Sequence, residues 1–389
     1  MPMEEHLARP ISYKVRKAVR YARLYGPRRT LRKIQAAYHM ASEDGFSGKV
    51  WKNPGVSADA TPRNTGIVGC GAYPYSTIAY YLQLHHGYCI KGVMDISAPR
   101  AKSLARRYRA HYATVDIEEI ASDEDIRLVY IASSHSSHAP YACRLLDAGK
   151  DVYIEKPHVV DDNQLEALLQ AIRRNPDRKI FLGFNRPHAR LVRLMKAALE
   201  EEDGPMMLNF FVIGHMIGED HWYSQKTEGG RILGNLCHWT DLLLHLVGTQ
   251  KAFPCQIVPL SADAGRSDLV TSFRFADGTL AAITFSSKGE TFEGVREDLH
   301  IQKGNIVVHL KDNEKLLIER GASKKRYRTF YRDPGHEANI LNAYRGSVLR
   351  QPGAEMDVDH LVMTARLFLE TKRAHEEQRT IILETQKNV

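Results

Sequence analysis

The chain has 389 residues, 43% of them hydrophobic and 26% charged, which places it among globular proteins and outside disordered, collagen-like and membrane-spanning compositions. Its net charge of +8 is local: residues 1–40 hold ten basic and two acidic side chains, so the other 349 residues are formally neutral and a globally basic nucleic-acid binder is excluded. Five scattered cysteines with no C-x-x-C pair argue against a disulfide framework or zinc, and no apolar run of membrane length or signal-peptide core is seen, so a reducing, cytoplasmic setting is expected.

In chain order, residues 11–25 put Ile11, Val15, Ala18, Val19, Ala22 and Tyr25 on one helical arc, with Lys14, Arg16, Lys17, Arg20 and Arg23 on the other. Gly26-Pro27 breaks this basic helix, and a second follows through Leu31, Ile34 and Tyr38. The expected arrangement packs the apolar arc on the body or on a neighbouring subunit and leaves the charges in solvent. Peripheral membrane contact through residues 1–40 is the alternative, and no nucleic-acid partner is expected. Residues from about 42 to 64, rich in Gly, Ser, Asp, Asn and Pro, read as a linker, so 1–62 forms a basic helical extension.

From Thr65 strands and helices alternate: strand 66–68, glycine turn, helix 76–86, strand 90–94, helix 99–109, strand 128–132, helix 138–148 and strand 151–154. This βαβ rhythm predicts a parallel sheet, and 63–186 reads as a Rossmann dinucleotide-binding domain. After Pro187 come helix 189–201, a strand-like run 206–217, helix 235–247, and consecutive strands, with Asp277-Gly278 marking a hairpin. Runs at 297–302, 305–310 and 315–319, a helix at 357–377 and a strand at 380–383 complete an α+β domain, 187–389, with an open, mainly antiparallel sheet. The fold class is thus α/β with a second α+β domain.

Three segments carry chemistry. Gly69-Cys70-Gly71, continuing through Ala72 and Tyr73, lies between a strand and a helix, where glycines allow backbone approach to a pyrophosphate and the helix N-terminus stabilises its charge. The third glycine position of the fingerprint is Pro74, and a purely structural turn is the competing reading. Asp95, 24 residues after Gly71 at a strand end, is placed for a ribose diol; its charge disfavours a 2′-phosphate, so NAD is favoured and NADP left open, with a strand-end cap as the alternative. Glu155-Lys156-Pro157 follows a strand at the edge where such sheets bind ligands, and Lys156 there suits polarising a substrate hydroxyl. In Glu228-Gly229-Gly230 through Asp241, a glycine turn leads into a helix carrying His238 and Asp241, and an imidazole suits the base that takes a hydroxyl proton. A hydrogen-bonded core histidine is the competing reading of His238.

Together these segments resemble the glucose-fructose oxidoreductase and inositol dehydrogenase (Gfo/Idh/MocA) family over about 63–385. Ser133, Ser134 and His138 after the fourth strand and Gly183-Phe184-Asn185-Arg186 at the domain junction support the resemblance. It implies substrate between the domains, Lys156 and His238 as the catalytic pair, a homo-oligomer on the open sheet, and Glu155, Ser133, Ser134 and His138 beside the cofactor. The family often has an aspartate four residues before the histidine; here it is Gly234, followed by Asn235. Arg186, Trp222, Tyr223, Asn235, His238 and Asp241 are the candidate substrate contacts, and no metal is expected; His135-x-x-His138 lacks a third ligand. The implied activity is hydride transfer to or from a sugar or sugar nucleotide, as in relatives from surface-polysaccharide pathways. A redox-neutral NAD-dependent isomerase or glycosidase and a non-catalytic sensor are the rivals.

Overall fold

The computed structural model describes residues 10–56, 63–215, 225–261, 268–289, 294–352 and 357–384. Helices α1 (Ile11–Tyr25) and α2 (Pro27–Met40) precede β1 (Val50–Lys52). The first domain continues with β2 (Thr65–Val68), α3 (Ala79–His86), β3 (Ile90–Met94), α4 (Ala98–Tyr108), β4 (Tyr112–Thr114), α5 (Ile117–Ala121), β5 (Leu128–Ile131), α6 (His135–Asp147), β6 (Asp151–Ile154), α7 (Asp162–Arg174) and β7 (Ile180–Leu182). Its sheet runs β1-β4-β3-β2-β5-β6-β7, and β1 alone pairs antiparallel, so the segment read as a linker supplies an edge strand. Every residue of β2, β5 and β6 is buried, as a sheet covered on both faces requires. Strand order reverses between β2 and β5, and a crevice for a ligand opens at the carboxyl ends of strands at such a point.

The second domain holds α8 (Arg190–Leu199), β8 (Met206–His215), α9 (Cys237–Val247), α10 (Thr249–Ala252), β9 (Cys255–Ser261), β10 (Asp268–Arg274), β11 (Leu280–Gly289), β12 (Arg296–Lys303), β13 (Ile306–Lys311), β14 (Lys315–Arg320) and β15 (Ser323–Arg328). Two further helices, α11 (His336–Ser347) and α12 (Val358–Glu377), and a last strand, β16 (Ile381–Leu383), complete the described chain. The sheet order is β15-β14-β13-β12-β8-β11-β10-β9-β16, antiparallel except for β8 beside β11. The Asp277-Gly278 hairpin forms, with Gly278 at φ 87°. Helices α9 and α12 bury one face of this sheet through Leu242, Leu244, Leu367 and Phe368. The other face leaves Met207, Phe211, Leu260, Leu280 and Ile382 exposed.

Two features depart from the sequence reading. Helix α11, not foreseen in the sequence and lying in the stretch assigned to the second domain, returns to the first: Tyr130 Oη donates to Ile340 O at 2.8 Å across 210 residues, and Asn339 Nδ2 donates to Leu182 O at 3.1 Å. Helix α1 also turns its aliphatic arc outward, leaving Ile11 78%, Val15 55% and Val19 48% exposed. Its C-terminal end meets the body instead, with the Arg332 guanidinium 5.8 Å from the Tyr25 ring centre. No described helix is long and apolar enough to cross a membrane.

A buried charge network ties the domain junction to the second sheet. Arg186 Nε donates to Glu297 Oε2 at 2.9 Å, Trp239 Nε1 donates to the same oxygen at 2.8 Å, and Asn313 donates to Oε1. The Arg186 guanidinium also lies 4.1 Å from the Trp239 ring centre. Removing one member of a buried pair strands the other charge, so Glu297→Ala should lower unfolding free energy by about 3–5 kcal/mol. Urea unfolding checks this, and a loss under about 1 kcal/mol contradicts it.

Candidate active site

The glycine turn forms because Gly69 sits at φ 88°, a conformation open to glycine, with its Cα pressed against the end of β5: an added Cβ would stand 2.5 Å from Ala132 O. At Gly71 an added Cβ would meet only Pro74, at 4.0 Å, and otherwise project into open space above the turn. The helix that follows opens with a π turn over Pro74–Ile78, where Ala79 N–H reaches back to Pro74 O. Asp95 Oδ2 accepts from Cys70 N at 2.6 Å and Oδ1 from Ser97 N at 2.8 Å. The carboxylate therefore braces the glycine turn and caps its own strand, and each oxygen keeps a lone pair. A pyrophosphate fits here: the turn presents backbone amides, a helix N-terminus and unfilled space.

Across the crevice, Ser134 begins α6, and Ser133, Ser134 and Ser137 hydroxyls share hydrogen bonds of 2.7 and 3.0 Å. His138 is 1% exposed, with Nδ1 2.8 Å from Pro157 O and Nε2 3.2 Å from Ser133 O. Burial lowers its pKa to about 4 against those two carbonyls, so the ring is neutral and can donate to only one of them. It positions the turn after β6 from behind. Glu155 is buried there, and Tyr153 Oη donates to Oε1 at 3.1 Å; burial raises its pKa more than Lys156 and the tyrosines lower it. Gly183 is needed opposite, since an added Cβ would stand 2.8 Å from Glu155 Cα.

The second domain enters through the Glu228 turn. Glu228 is 4% exposed and accepts from Ser136 Oγ at 2.7 Å and Ser136 N at 3.2 Å, placing a carboxylate at the N-terminus of α6. Gly229 and Gly230, at φ 78° and 65°, reverse the chain, and a π turn over Ile232–Leu236 leads into α9. This second π turn also falls where the chemistry does. Lys156 Nζ donates to Gly234 O at 2.9 Å, bringing the lysine of the first domain onto the turn that carries Asn235 and His238. Asn235 Oδ1 lies 3.3 Å from Arg231 Nη1.

His238 is half-buried, its ring 6.2 Å from Phe184 in an edge contact, and its Nδ1 is buried without a hydrogen-bond partner. Burial, then Arg186, Lys156 and His336, hold its pKa well below the usual 6.5. The other expected contacts divide. Arg186 is committed to Glu297 rather than to the crevice. Asp241 is 1% exposed and faces α12, where Oδ1 accepts from His360 at 2.9 Å and Thr364 at 3.1 Å. The three-residue spacing from His238 thus points the two side chains at different neighbours. Trp222 and Tyr223 lie outside the described residues. Sequence reasoning missed His336, whose Nδ1 lies 3.3 Å from Tyr73 Oη; it starts α11, and nothing near it in sequence signals the return of that helix. Among the described residues one group, Asp298, His300 and His309, gathers three metal-ligand atoms, but it shares the outer sheet face with Phe211, away from α9.

Residues 63–184 match the model of the Gfo/Idh/MocA oxidoreductase family, described as an NAD-binding Rossmann fold. That stretch of the chain is similar to the dinucleotide-binding domain of the family. Oxidoreductase P35 of Formosa agariphila is 33% identical over 114 residues, 29% of this chain and 35% of that protein. Inositol 2-dehydrogenase of Burkholderia lata is 25% identical over 239 residues, 61% of this chain and 66% of its own length. The match thus spans about a third of the first relative and just under two thirds of the second. A levoglucosan dehydrogenase solved with NADH and L-sorbose superposes with a TM-score of 0.68 at 16% identity, covering 82% of this chain and 98% of that one, which shows a shared fold. The family model that matches this stretch is that of an NAD-binding fold.

The isolated imidazole gives a direct check. An NMR titration should find His238 neutral through pH 6, where a histidine with the ordinary pKa of about 6.5 is mostly charged. A midpoint at or above 6.5 contradicts this geometry.

Proposed function

We propose that the protein passes hydride between the nicotinamide of NAD and a hydroxyl-bearing carbon of a sugar or sugar nucleotide held between the two domains. The observation that carries this reading is the contact of Lys156 with Gly234 O, which puts a cation and the His238 helix together at the mouth of the dinucleotide crevice. Bound NAD supplies the hydride acceptor or donor. Backbone amides of Gly69, Gly71, Ala72 and Tyr73 would hold its phosphates, and Asp95 its ribose diol. Ser133, Ser134 and Lys156 would line the path to the nicotinamide.

During oxidation, His238 takes the hydroxyl proton, because its depressed pKa keeps the ring unprotonated and able to accept. Lys156 exchanges the Gly234 carbonyl for the substrate oxygen and stabilises its developing charge. Asn235, at the same turn, offers an amide to a neighbouring hydroxyl and cannot act as a base. The similarity to an inositol 2-dehydrogenase and a levoglucosan dehydrogenase supports a polyhydroxylated substrate.

Mixing the full-length protein and NAD with a panel of sugars, polyols and sugar nucleotides should yield NADH absorbance with at least one of them. Lys156→Ala should cut that rate by about 10²–10⁴-fold while NAD affinity stays. Product without accumulated NADH would instead indicate a redox-neutral cycle, and unchanged biological activity of Lys156→Ala a sensor.

Two uncovered apolar faces support partners. The outer sheet face, with Met207, Phe211 and Leu260, suits a second copy of the chain. The outward stripe of Ile11, Val15 and Val19, flanked by Lys14, Arg16 and Arg23, suits an anionic bilayer. The five cysteines are all free, consistent with a reducing cytoplasmic setting. Phe211→Asp should yield a smaller species in sedimentation yet still float with phosphatidylserine vesicles, whereas Val15→Glu should abolish flotation alone. A wild-type monomer that ignores vesicles contradicts both assignments.

A further inference from the structure

An amphipathic helix that merely packs would bury its aliphatic stripe, and α1 does the reverse. The reason lies in what the hairpin crosses. The end of α1 is fixed to the second domain: Arg332 N donates to Leu24 O at 2.7 Å, and the Arg332 guanidinium lies 5.8 Å from the Tyr25 ring centre. At Gly26, φ 88°, the Tyr331 ring comes within 3.1 Å of where a Cβ would stand. Helix α2 is fixed to the first domain, with Ala36 fully buried and His39 Nε2 2.6 Å from Cys70 O in the glycine turn. The hairpin is therefore a strap over the interdomain crevice.

Two of its cations have no counter-ion among the described residues. The Arg29 guanidinium lies 4.7 Å from the Tyr81 ring centre, and its Nη1 is buried without a hydrogen-bond partner. Lys33, one turn further on, is solvent-accessible and makes no ion pair or hydrogen bond among the described residues. Enclosure by protein, then Arg29 and Lys17, lowers its pKa to about 8. Arg29 thus lies against α3, the helix that follows the glycine turn, and both cations lower the pKa of His336, whose Nδ1 is 3.3 Å from Tyr73 Oη. Nearby carboxylates are committed elsewhere: Glu297 to Arg186, Glu337 to His85, Asp333 to Gly335 N, and Glu155 to Tyr153. Lys33 and Arg29 precede His39 by six and ten residues, about 9 and 15 Å along the helix, so they stand away from the pyrophosphate turn.

We infer that Arg29 and Lys33 form a subsite for an anionic group carried by the substrate, a phosphate ester or a carboxylate, and that the N-terminal strap is part of the active site. The substrate class is then acidic sugars rather than neutral polyols. This deepens the proposed sugar oxidoreductase reading and rests on it. An anion here pairs the stranded guanidinium nitrogen and relieves the repulsion on Lys33.

Calorimetry on the full chain saturated with NADH tests it, using glucose, glucuronate, glucose 1-phosphate and UDP-glucose as probes. At least one anionic probe should bind about tenfold or more tightly than glucose, and Lys33→Gln should remove about tenfold of that advantage. Glucuronate or the two phosphates then identify the anion. Arg29→Gln should act in the same direction, but Lys33 is the cleaner variant because it makes no ring contact, ion pair or hydrogen bond among the described residues. Equal affinity for all four probes, or no binding by any anionic one, overturns the inference. Loss of NADH affinity in Lys33→Gln also overturns it, because the cations would then serve the cofactor. A charge-dependent affinity with no NADH formed when the tightest-binding sugar is offered with NAD in place of NADH would leave the subsite standing and sink the dehydrogenase reading instead.

Discussion

The hydrogen bond from Lys156 to Gly234 O joins two elements that neither domain could bring together alone. On one side, a parallel strand ends at the crevice and delivers a lysine whose neighbours, Glu155 and His138, are buried and fixed from behind. On the other, a glycine turn anchored by Glu228 on α6 aims a helix so that His238 enters the same space. A cation that can donate is thereby held on the turn that leads into the helix of His238, a neutral ring that can accept. Moving either turn separates them, which is why so much of the surrounding polarity is buried and paired.

Much of this was legible in the sequence. The glycine turn, Asp95 at the next strand end, Glu155-Lys156-Pro157 and the helix bearing His238 are local patterns, and local patterns survive in a string of letters. Directions and long-range partners do not. Asp241 shares a helix with His238 but turns to His360, more than a hundred residues later, and Arg186 is held by Glu297 across a similar gap. His336 enters the site only because α11 crosses back to the first domain, and its neighbours give no sign of that. Pro74, which breaks the glycine fingerprint, sits in a π turn that the letters do not announce.

The extension shows how charge can mislead when read as composition. Eight net positive charges in forty residues look like a surface for nucleic acid or lipid. In the fold, two of those cations, Arg29 and Lys33, are near enough to His336 to lower its pKa, while aliphatic side chains of α1 face out. The same helices thus relate to the crevice on one side and to an external surface on the other. Gly26 makes this arrangement available by letting the chain reverse directly beneath Tyr331.

A crystal structure of the full chain with NAD tests the central claim most directly. The account predicts the adenosine diol on Asp95, the pyrophosphate over Gly69 and Gly71, and the nicotinamide ring between Lys156 and His238. A dinucleotide bound elsewhere, or a nicotinamide ring turned out of the crevice away from both side chains, would contradict it.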